Sequence, residues 1–147
     1  MPVSRLAIVG TGLIGASVGL AAKRAGIDRV SGWDPDPGAL AVAAERGAVD
    51  RSAESLEAAL EGTELALVAA PVASLRDQVA ATLEASPVTC TVTDVGSTKA
   101  GVCASAPDRV RFIGGHPVCG SEARGPEHAS GELFQGATWF LTPVTET

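Results

Sequence analysis

The stretch Leu6-Ala-Ile-Val-Gly-Thr-Gly-Leu-Ile-Gly15 decides the fold of this chain. It opens as a short apolar run with β-branched residues, which predicts a buried strand. It then becomes Gly-x-Gly-x-x-Gly and continues through an alanine-rich run to Gly26, which predicts a helix that ends at that glycine. A strand, this glycine pattern and a helix in that order are typical of a dinucleotide-binding turn.

Each glycine of the pattern has its own physical role. Gly10 permits the tight turn out of the strand, Gly12 lets a pyrophosphate approach the backbone, and Gly15 lets the helix pack closely on the strand. The N–H groups of the first helical turn, which includes Leu13 and Ile14, have no partner inside the helix and point toward the anion. We therefore predict that these five residues hold the phosphates of a dinucleotide.

An acidic residue at the end of the next predicted strand, Val30–Asp34, completes the pattern. Asp34 lies 24 positions after Gly10, close to the interval of about 20 residues expected for a ribose-binding acid. A carboxylate there can accept both hydroxyls of the adenosine ribose and repels a 2′-phosphate. The following Pro35–Pro37 supplies no cation, so NAD is favoured over NADP. The alternative is a glycine-rich turn followed by a surface aspartate.

Composition restricts the class of protein. The chain has 147 residues, 46% hydrophobic and 19% charged, which predicts one globular domain. Its net charge is −6 and it has no basic stripe, so neither nucleic acid nor a membrane surface is an expected partner. No room for a signal peptide precedes the first strand, and no apolar run reaches a membrane span. The three cysteines form no metal motif or disulfide framework, which favours the cytoplasm.

Strand and helix patterns alternate along the chain, which predicts a Rossmann-type α/β fold with a doubly wound parallel sheet. We predict one domain over residues 1–143 and a truncated connecting segment over 144–147. Expected strands after the second are a very short one at Ala48–Val49, a buried one at Glu64–Pro71, and others at Val88–Val95, Val110–Gly114 and Thr138–Thr142. Expected helices cover Gly38–Arg46, Ser52–Leu60 and Val72–Ala85, with a short helical piece between Pro126 and Phe134.

Ligands of open parallel sheets lie beyond the carboxyl ends of the strands. The turn at Ala70 and Pro71 is suited to cover a dinucleotide there. His116 follows two glycines at the end of a predicted strand, and its imidazole can accept a proton from a substrate hydroxyl at neutral pH. It is equally compatible with a histidine that only bonds loop carbonyls. Ser97 can bond the substrate or the nicotinamide, or cap a helix.

Three further polar residues keep open roles. Glu122 is a candidate gate for the site, although a lone acid is more often simply exposed. The sequence does not choose whether Lys99 pairs with Asp94 or with a phosphate. We interpret Cys119 as a small loop residue, because no base is plainly arranged to activate it.

Several stretches, taken in order, resemble the prephenate dehydrogenase family over essentially the whole chain. They are Gly10–Ser17, Asp94–Lys99, His116–Gly125, Leu133-Phe134 and Leu141–Pro143. The resemblance implies NAD-dependent oxidative decarboxylation of prephenate to 4-hydroxyphenylpyruvate in tyrosine synthesis, with arogenate as the substrate of some relatives. It implies that His116 accepts a hydrogen bond from the 4-hydroxyl, that Ser97 holds the same hydroxyl beside the nicotinamide, and that Glu122 belongs to a gating network.

Two features depart from the family pattern. Cys119 stands where the family often has alanine. The family's C-terminal helical domain, which builds a homodimer and supplies groups for the substrate carboxylates, is absent from these 147 residues. We therefore expect a cofactor-binding half with little or no activity alone and an exposed apolar patch near residue 143. The alternatives are the cofactor half of a β-hydroxyacid-type dehydrogenase and a non-enzymatic NAD-sensing domain.

Overall fold

The computed structural model describes residues 2–96, 100–108, 110–118 and 123–143. Within them the chain forms one sheet covered by helices on both faces. The strands are β1 (Arg5–Val9), β2 (Arg29–Trp33), β3 (Arg51–Ser52), β4 (Leu65–Val68), β5 (Thr91–Asp94), β6 (Phe112–Val118) and β7 (Thr138–Pro143). The helices are α1 (Leu13–Arg24), α2 (Pro37–Glu45), α3 (Leu56–Leu60), α4 (Val72–Ala85) and α5 (Ala100–Ser105), with a 3-10 turn at Pro126–His128.

The strand order across the sheet is β3-β2-β1-β4-β5-β6-β7. The chain first winds outward from β1 to β3, then returns to β4 and winds in the opposite direction. Strands β1 to β6 pair in parallel, which confirms the predicted Rossmann-type sheet. The reversal opens a crevice beyond the carboxyl ends of β1 and β4, where ligands bind in such sheets.

Alternate residues of β1 face two separate hydrophobic clusters. Ala7 and Val9 belong to a cluster that includes residues of α3 and α4, whereas Leu6 and Ile8 pack with residues of α1 and α2. Because β1 is covered on both faces, its apolar residues run without the polar alternation of a half-exposed strand. This buried strand is the base from which the glycine turn projects.

Several predicted elements differ in the structure. The helix predicted over Ser52–Leu60 begins only at Leu56, and Ser52 belongs to β3. Ala48 and Val49 are buried, at 0% and 5% exposure, but they do not form a strand. The short strand follows them, where Ser31 pairs with Arg51. Val49 belongs to the cluster of Leu6 and Ile8, and Ala48 packs in a separate cluster with residues of α1 and α2. Their hydrophobicity therefore reflects packing and not strand pairing. The expected helical piece between residues 126 and 134 contains only the 3-10 turn, and turns follow it.

The last strand runs antiparallel to β6, unlike the others. Its pairing extends from Ile113↔Pro143 to Val118↔Thr138. Strand β6 therefore continues through His116 instead of ending before it. Among the described residues of the segment between β6 and β7, 123–137, the structure has a 3-10 turn and not the crossover helix that a parallel strand requires.

No helix in the described part of the chain is both long enough and apolar enough to cross a membrane.

Candidate dinucleotide-binding site

A pocket of about 1140 Å³ opens beyond the carboxyl ends of the central strands. Most of the residues that the sequence predicted for the cofactor line it, together with the predicted catalytic histidine. These lining residues are Gly10, Gly12, Leu13, Ile14, Asp34, Ala70, Pro71 and His116. The structure therefore brings the glycine turn, the acid of β2 and the histidine of β6 into one concave site.

The three glycines of the turn occupy three different environments. Gly10 has a φ of +98°, and a Cβ there would lie 2.7 Å from the carbonyl oxygen of Ala69. A Cβ on Gly12 would meet nothing within 4 Å, which leaves room for a ligand against the backbone. Gly15 is buried behind the pocket, where a Cβ would overlap the carbonyl oxygen of Gly10. Gly15 therefore shapes the turn by close packing and does not line the pocket.

Helix α1 begins at Leu13, directly after its N-cap Gly12, and no acidic residue lies in its first turn. Its first N–H groups have no acceptor within the helix, and the positive end of the helix dipole faces the pocket. Leu13 and Ile14 line the pocket at this point. The helix start can therefore hold an anionic group such as a pyrophosphate.

The Asp34 carboxylate is already held by the backbone around it. Its Oδ2 accepts the Thr11 N–H at 2.7 Å and the Thr11 hydroxyl at 3.2 Å, while Oδ1 accepts the Asp36 N–H at 2.8 Å. Oδ1 keeps a lone pair for a ligand hydroxyl, and the longer Thr11 hydroxyl contact can be exchanged for a second one. The carboxylate is thus fixed beside the glycine turn in an orientation that suits a ribose.

The backbone pairing of strands β5 and β6 stops as they reach the pocket, although Gly115 stays close to the Asp94 carbonyl oxygen. Their ladder ends at the pair Thr93↔Ile113. Beyond it, the fully buried Asp94 side chain accepts the Gly115 N–H at 3.0 Å through Oδ1 and the Gly96 N–H at 3.0 Å through Oδ2. A side chain therefore joins the two strand ends where the backbone ladder has stopped.

His116 lies next to this junction on β6 and is half-buried. Its cross-strand partner is Phe140 of β7, with ring centroids 6.5 Å apart. Because His116 lines the pocket from β6, it lies on the opposite side of the β1–β4 crevice from Asp34. This placement suits a group that contacts the end of a dinucleotide remote from the adenosine ribose.

The segment 123–127 forms another wall of the pocket and is attached to both helices of the first half. The Arg46 guanidinium, just after α2, donates to the carbonyl oxygens of Pro126, Glu127 and Ala129 at 2.7–3.1 Å. Ser17 of α1, which is fully buried, accepts the Ser130 N–H at 3.0 Å. These contacts fix the wall relative to the glycine turn.

Four residues singled out from the sequence, Ser97, Lys99, Cys119 and Glu122, lie outside the described residues. Their predicted roles stay predictions. His128, by contrast, is exposed in the 3-10 turn, with 57% of its side-chain surface accessible.

Sequence reasoning missed the contribution of α4 and of β2 itself to the pocket. Ser74 and Gln78 line it from α4, and Trp33 lines it from the end of β2. The i, i+4 spacing of two polar residues on an otherwise amphipathic helix was a usable signal. Trp33 directly precedes Asp34, and its position alone would have placed it beside the predicted ribose-binding acid.

Residues 18–147 match the family model described as prephenate dehydrogenase, nucleotide-binding domain. The chain belongs to this family. The match begins within α1, and the preceding glycine turn is covered by the similarity to a probable prephenate dehydrogenase, NovF, of Streptomyces niveus. That protein is 34% identical over an alignment of 143 residues, and the alignment covers 95% of this chain.

Solved structures agree with this family membership. Prephenate dehydrogenase from Aquifex aeolicus in complex with hydroxyphenyl propionate and NAD⁺ superposes on 97% of the chain with a TM-score of 0.88 and 28% identity. Synechocystis arogenate dehydrogenase superposes on 95% with a TM-score of 0.87 and 30% identity. The chain spans 38% of the length of the Streptomyces protein and about half of each crystallised chain, 51% and 50%.

Proposed function

We propose that this domain binds NAD in the pocket and is the cofactor-binding half of an enzyme that oxidatively decarboxylates prephenate, or its amino analogue arogenate. The observation that carries the proposal is the single pocket that holds the glycine turn, Asp34 and His116 together. Similarity to prephenate and arogenate dehydrogenases over at least 95% of the chain supports the reaction class.

The residues of the pocket fit NAD. Open space at Gly12 and the unpaired N–H groups of α1 suit a pyrophosphate, and the oriented Asp34 carboxylate suits the hydroxyls of an unphosphorylated ribose. Asp36 also lines the pocket near this end, so a 2′-phosphate would lie near two negatively charged residues. When bound, NAD supplies the acceptor for a hydride.

The protein's own part in the proposed reaction is to position one ring and to polarise one hydroxyl. The imidazole of His116 accepts the proton of the 4-hydroxyl as the ring carbon that carries this hydroxyl loses a hydride. The imidazole then returns the proton to the oxygen of the phenol product. Departure of carbon dioxide makes the ring aromatic, so much of the driving force comes from the substrate. Following the family resemblance, we assign Ser97 to the same hydroxyl and Glu122 to the mouth of the site.

Calorimetric titration of the chain with NAD and with NADP tests the cofactor assignment. We expect NAD to bind more tightly, and we expect Asp34→Asn to reduce that preference, because the neutral amide no longer repels a 2′-phosphate. Asp77→Asn removes a similar charge from an exposed position of α4 outside this pocket and should leave both affinities unchanged. Equal affinity for the two cofactors in the unmodified chain would contradict the assignment.

Prephenate-dependent formation of NADH tests the reaction. We expect slow or no turnover by the 147-residue chain, because it corresponds to about half of each related enzyme. Full turnover would show that the chain is not merely a cofactor-binding half. A cytoplasmic location and a homodimer of the longer enzyme stay predictions within this proposal.

A further inference from the structure

One guanidinium at the pocket has no carboxylate partner. Arg124 lines the pocket from the wall at 123–127, and its side chain is exposed. It makes no ion pair with any residue in the described part of the chain, whereas Arg24, which is also exposed, pairs with a glutamate. The Glu127 carboxylate of the same wall lies against the backbone instead, because a Cβ on Gly125 would be 2.6 Å from both of its oxygens.

The charges around the pocket are mostly negative. Arg124 is the only lysine or arginine among the described residues that line it, whereas three acids line it, Asp34, Asp36 and Glu127. A pyrophosphate that enters this pocket is itself anionic. The start of α1 offsets only part of this negative charge, since a helix end is equivalent to about half an elementary charge. A cation at the pocket therefore raises its affinity for an anionic ligand.

The wall reaches the pocket alongside α1 and α2. Ser17, which accepts the Ser130 N–H at 3.0 Å, lies one turn after Leu13 of the pocket lining. Arg46, which donates to three carbonyl oxygens of the wall, likewise lies one turn after Val42 of the lining. Because residues four positions apart share one side of a helix, the wall is attached one turn away from the pocket at both helices.

We propose that Arg124 binds the pyrophosphate of the dinucleotide from the side opposite the glycine turn, an inference that rests on the proposed function. The N–H groups at the start of α1 hold phosphate oxygens on one side. The guanidinium is planar and carries several N–H donors, which suits the oxygens on the other side. Arg124 pairs with neither Asp34 nor Asp36, so its guanidinium is not held at the ribose end of the pocket.

Calorimetric titration of Arg124→Ala with NAD, NADP and ADP-ribose tests this contact. ADP-ribose keeps the pyrophosphate but lacks the nicotinamide. We expect the variant to lose about 3- to 10-fold in affinity for all three ligands, a moderate factor because solvent screens an exposed guanidinium. Added salt should narrow the difference between the variant and the unmodified chain. Arg124→Lys keeps the positive charge and should lose less affinity than Arg124→Ala.

The chain offers a matched control in Arg51. This side chain is also exposed, makes no ion pair with the described residues and lies outside the pocket. Arg51→Ala removes the same charge from the chain, so it should keep all three affinities if the effect of Arg124 is local. The thermal unfolding midpoint of Arg124→Ala should be unchanged, because its side chain is exposed and unpaired.

The possible results separate this inference from the proposed function. An unchanged NAD affinity in Arg124→Ala, or an equal loss in Arg51→Ala, would overturn the role of Arg124 and leave NAD binding intact. A loss that spares ADP-ribose would place the contact at the nicotinamide end, and a loss confined to NADP would place it at the 2′-phosphate; either would overturn the inference. No binding of NAD by the unmodified chain would overturn the proposed function as well.

Discussion

The two halves of the sheet hold their parts of the pocket by different means. In the first half, β1 and β2 end in backbone turns, and the glycine turn is shaped by contacts such as the one between Gly15 and the Gly10 carbonyl. In the second half, β5 and β6 have lost their ladder, and the buried Asp94 side chain joins them. The glycine turn depends on positions without side chains, whereas the junction of β5 and β6 depends on the buried Asp94 carboxylate.

The difference between the two halves can be measured on two aspartates, Asp50 in the first half and Asp94 in the second. Asp50 accepts the Val30 N–H at 2.8 Å and pairs with Lys23 at 2.9 Å, but about a third of its side chain is exposed. Asp94 accepts two backbone N–H groups and is fully buried. Water can replace Asp50 but not Asp94, so the second half should be the more sensitive to losing its carboxylate.

The largest effect is expected from Asp94→Ala. It leaves the N–H groups of Gly96 and Gly115 without their carboxylate acceptor, which should lower the free energy of unfolding by about 2–4 kcal/mol. Chemical denaturation measures this loss. Asp94→Asn keeps one acceptor oxygen and should lose about half as much. A loss below that of Asp50→Ala, for which we expect less than about 1 kcal/mol, would contradict the comparison.

The next effect separates packing from ligand binding within the glycine turn. Gly15→Ala forces a Cβ into the Gly10 carbonyl and should cost about 1–3 kcal/mol of stability. Gly12→Ala adds a methyl group in open space, so we expect a change of under about 0.5 kcal/mol in stability but at least a roughly tenfold loss of NAD affinity. Thermal unfolding measures the stability of both variants, and calorimetry measures their affinity for NAD. An unchanged NAD affinity in Gly12→Ala would contradict a role of the turn in binding.

A smaller loss of stability is expected where the segment after β6 is attached to the helices of the first half. Arg46→Ala removes the donor of three carbonyl bonds to the wall at 126–129, all near the surface, and should cost about 1 kcal/mol. Hydrogen exchange should become faster at the Ser130 N–H. Arg24→Ala breaks only an exposed pair with Glu132 and should leave that rate nearly unchanged. Equal acceleration in both variants would argue against Arg46 as the main attachment.

The smallest effect concerns pH. Burial alone would raise the pKa of Asp50, but hydrogen bonds from Lys23 and the Val30 N–H outweigh it and lower the pKa below 3.8. A lowered folded pKa stabilises the protein above the unfolded pKa, and this contribution is lost as the pH falls through the folded value. The stability difference between the unmodified chain and Asp50→Asn should therefore be constant near neutrality and shrink below about pH 4. Urea unfolding at several pH values measures it.

The sequence predicted the first half of the pocket better than the second. Helix α4 spans Val72–Ala85 as predicted, and Gly26, the predicted end of the first helix, has a φ of +90° two residues beyond α1. Such signals are local, because a glycine or a periodic pattern of apolar residues determines the conformation of only a few neighbouring residues. The antiparallel β7 and the continuation of β6 through His116 depend on pairing between strands, which no single stretch encodes.

The same reason explains the remaining differences at the site. Asp94 was noted only as a possible partner of Lys99, since its contact with Gly115 joins residues 21 positions apart. Gln78 was overlooked because an amide on an amphipathic helix is ordinary until the fold places it in the lining of a pocket. The segment Ala48–Val49 was misread for the converse reason, because hydrophobic residues indicate burial without specifying the element.

The hydrogen bonds that hold the Asp34 carboxylate in place have a kinetic consequence. Thr11 and Asp36 have already fixed its rotamer, so a ligand that binds there need not restrict this side chain and loses less conformational entropy on association. A preorganised site does not need a rare conformation before its ligand associates. Differences in affinity between ligands then come mainly from the dissociation rate.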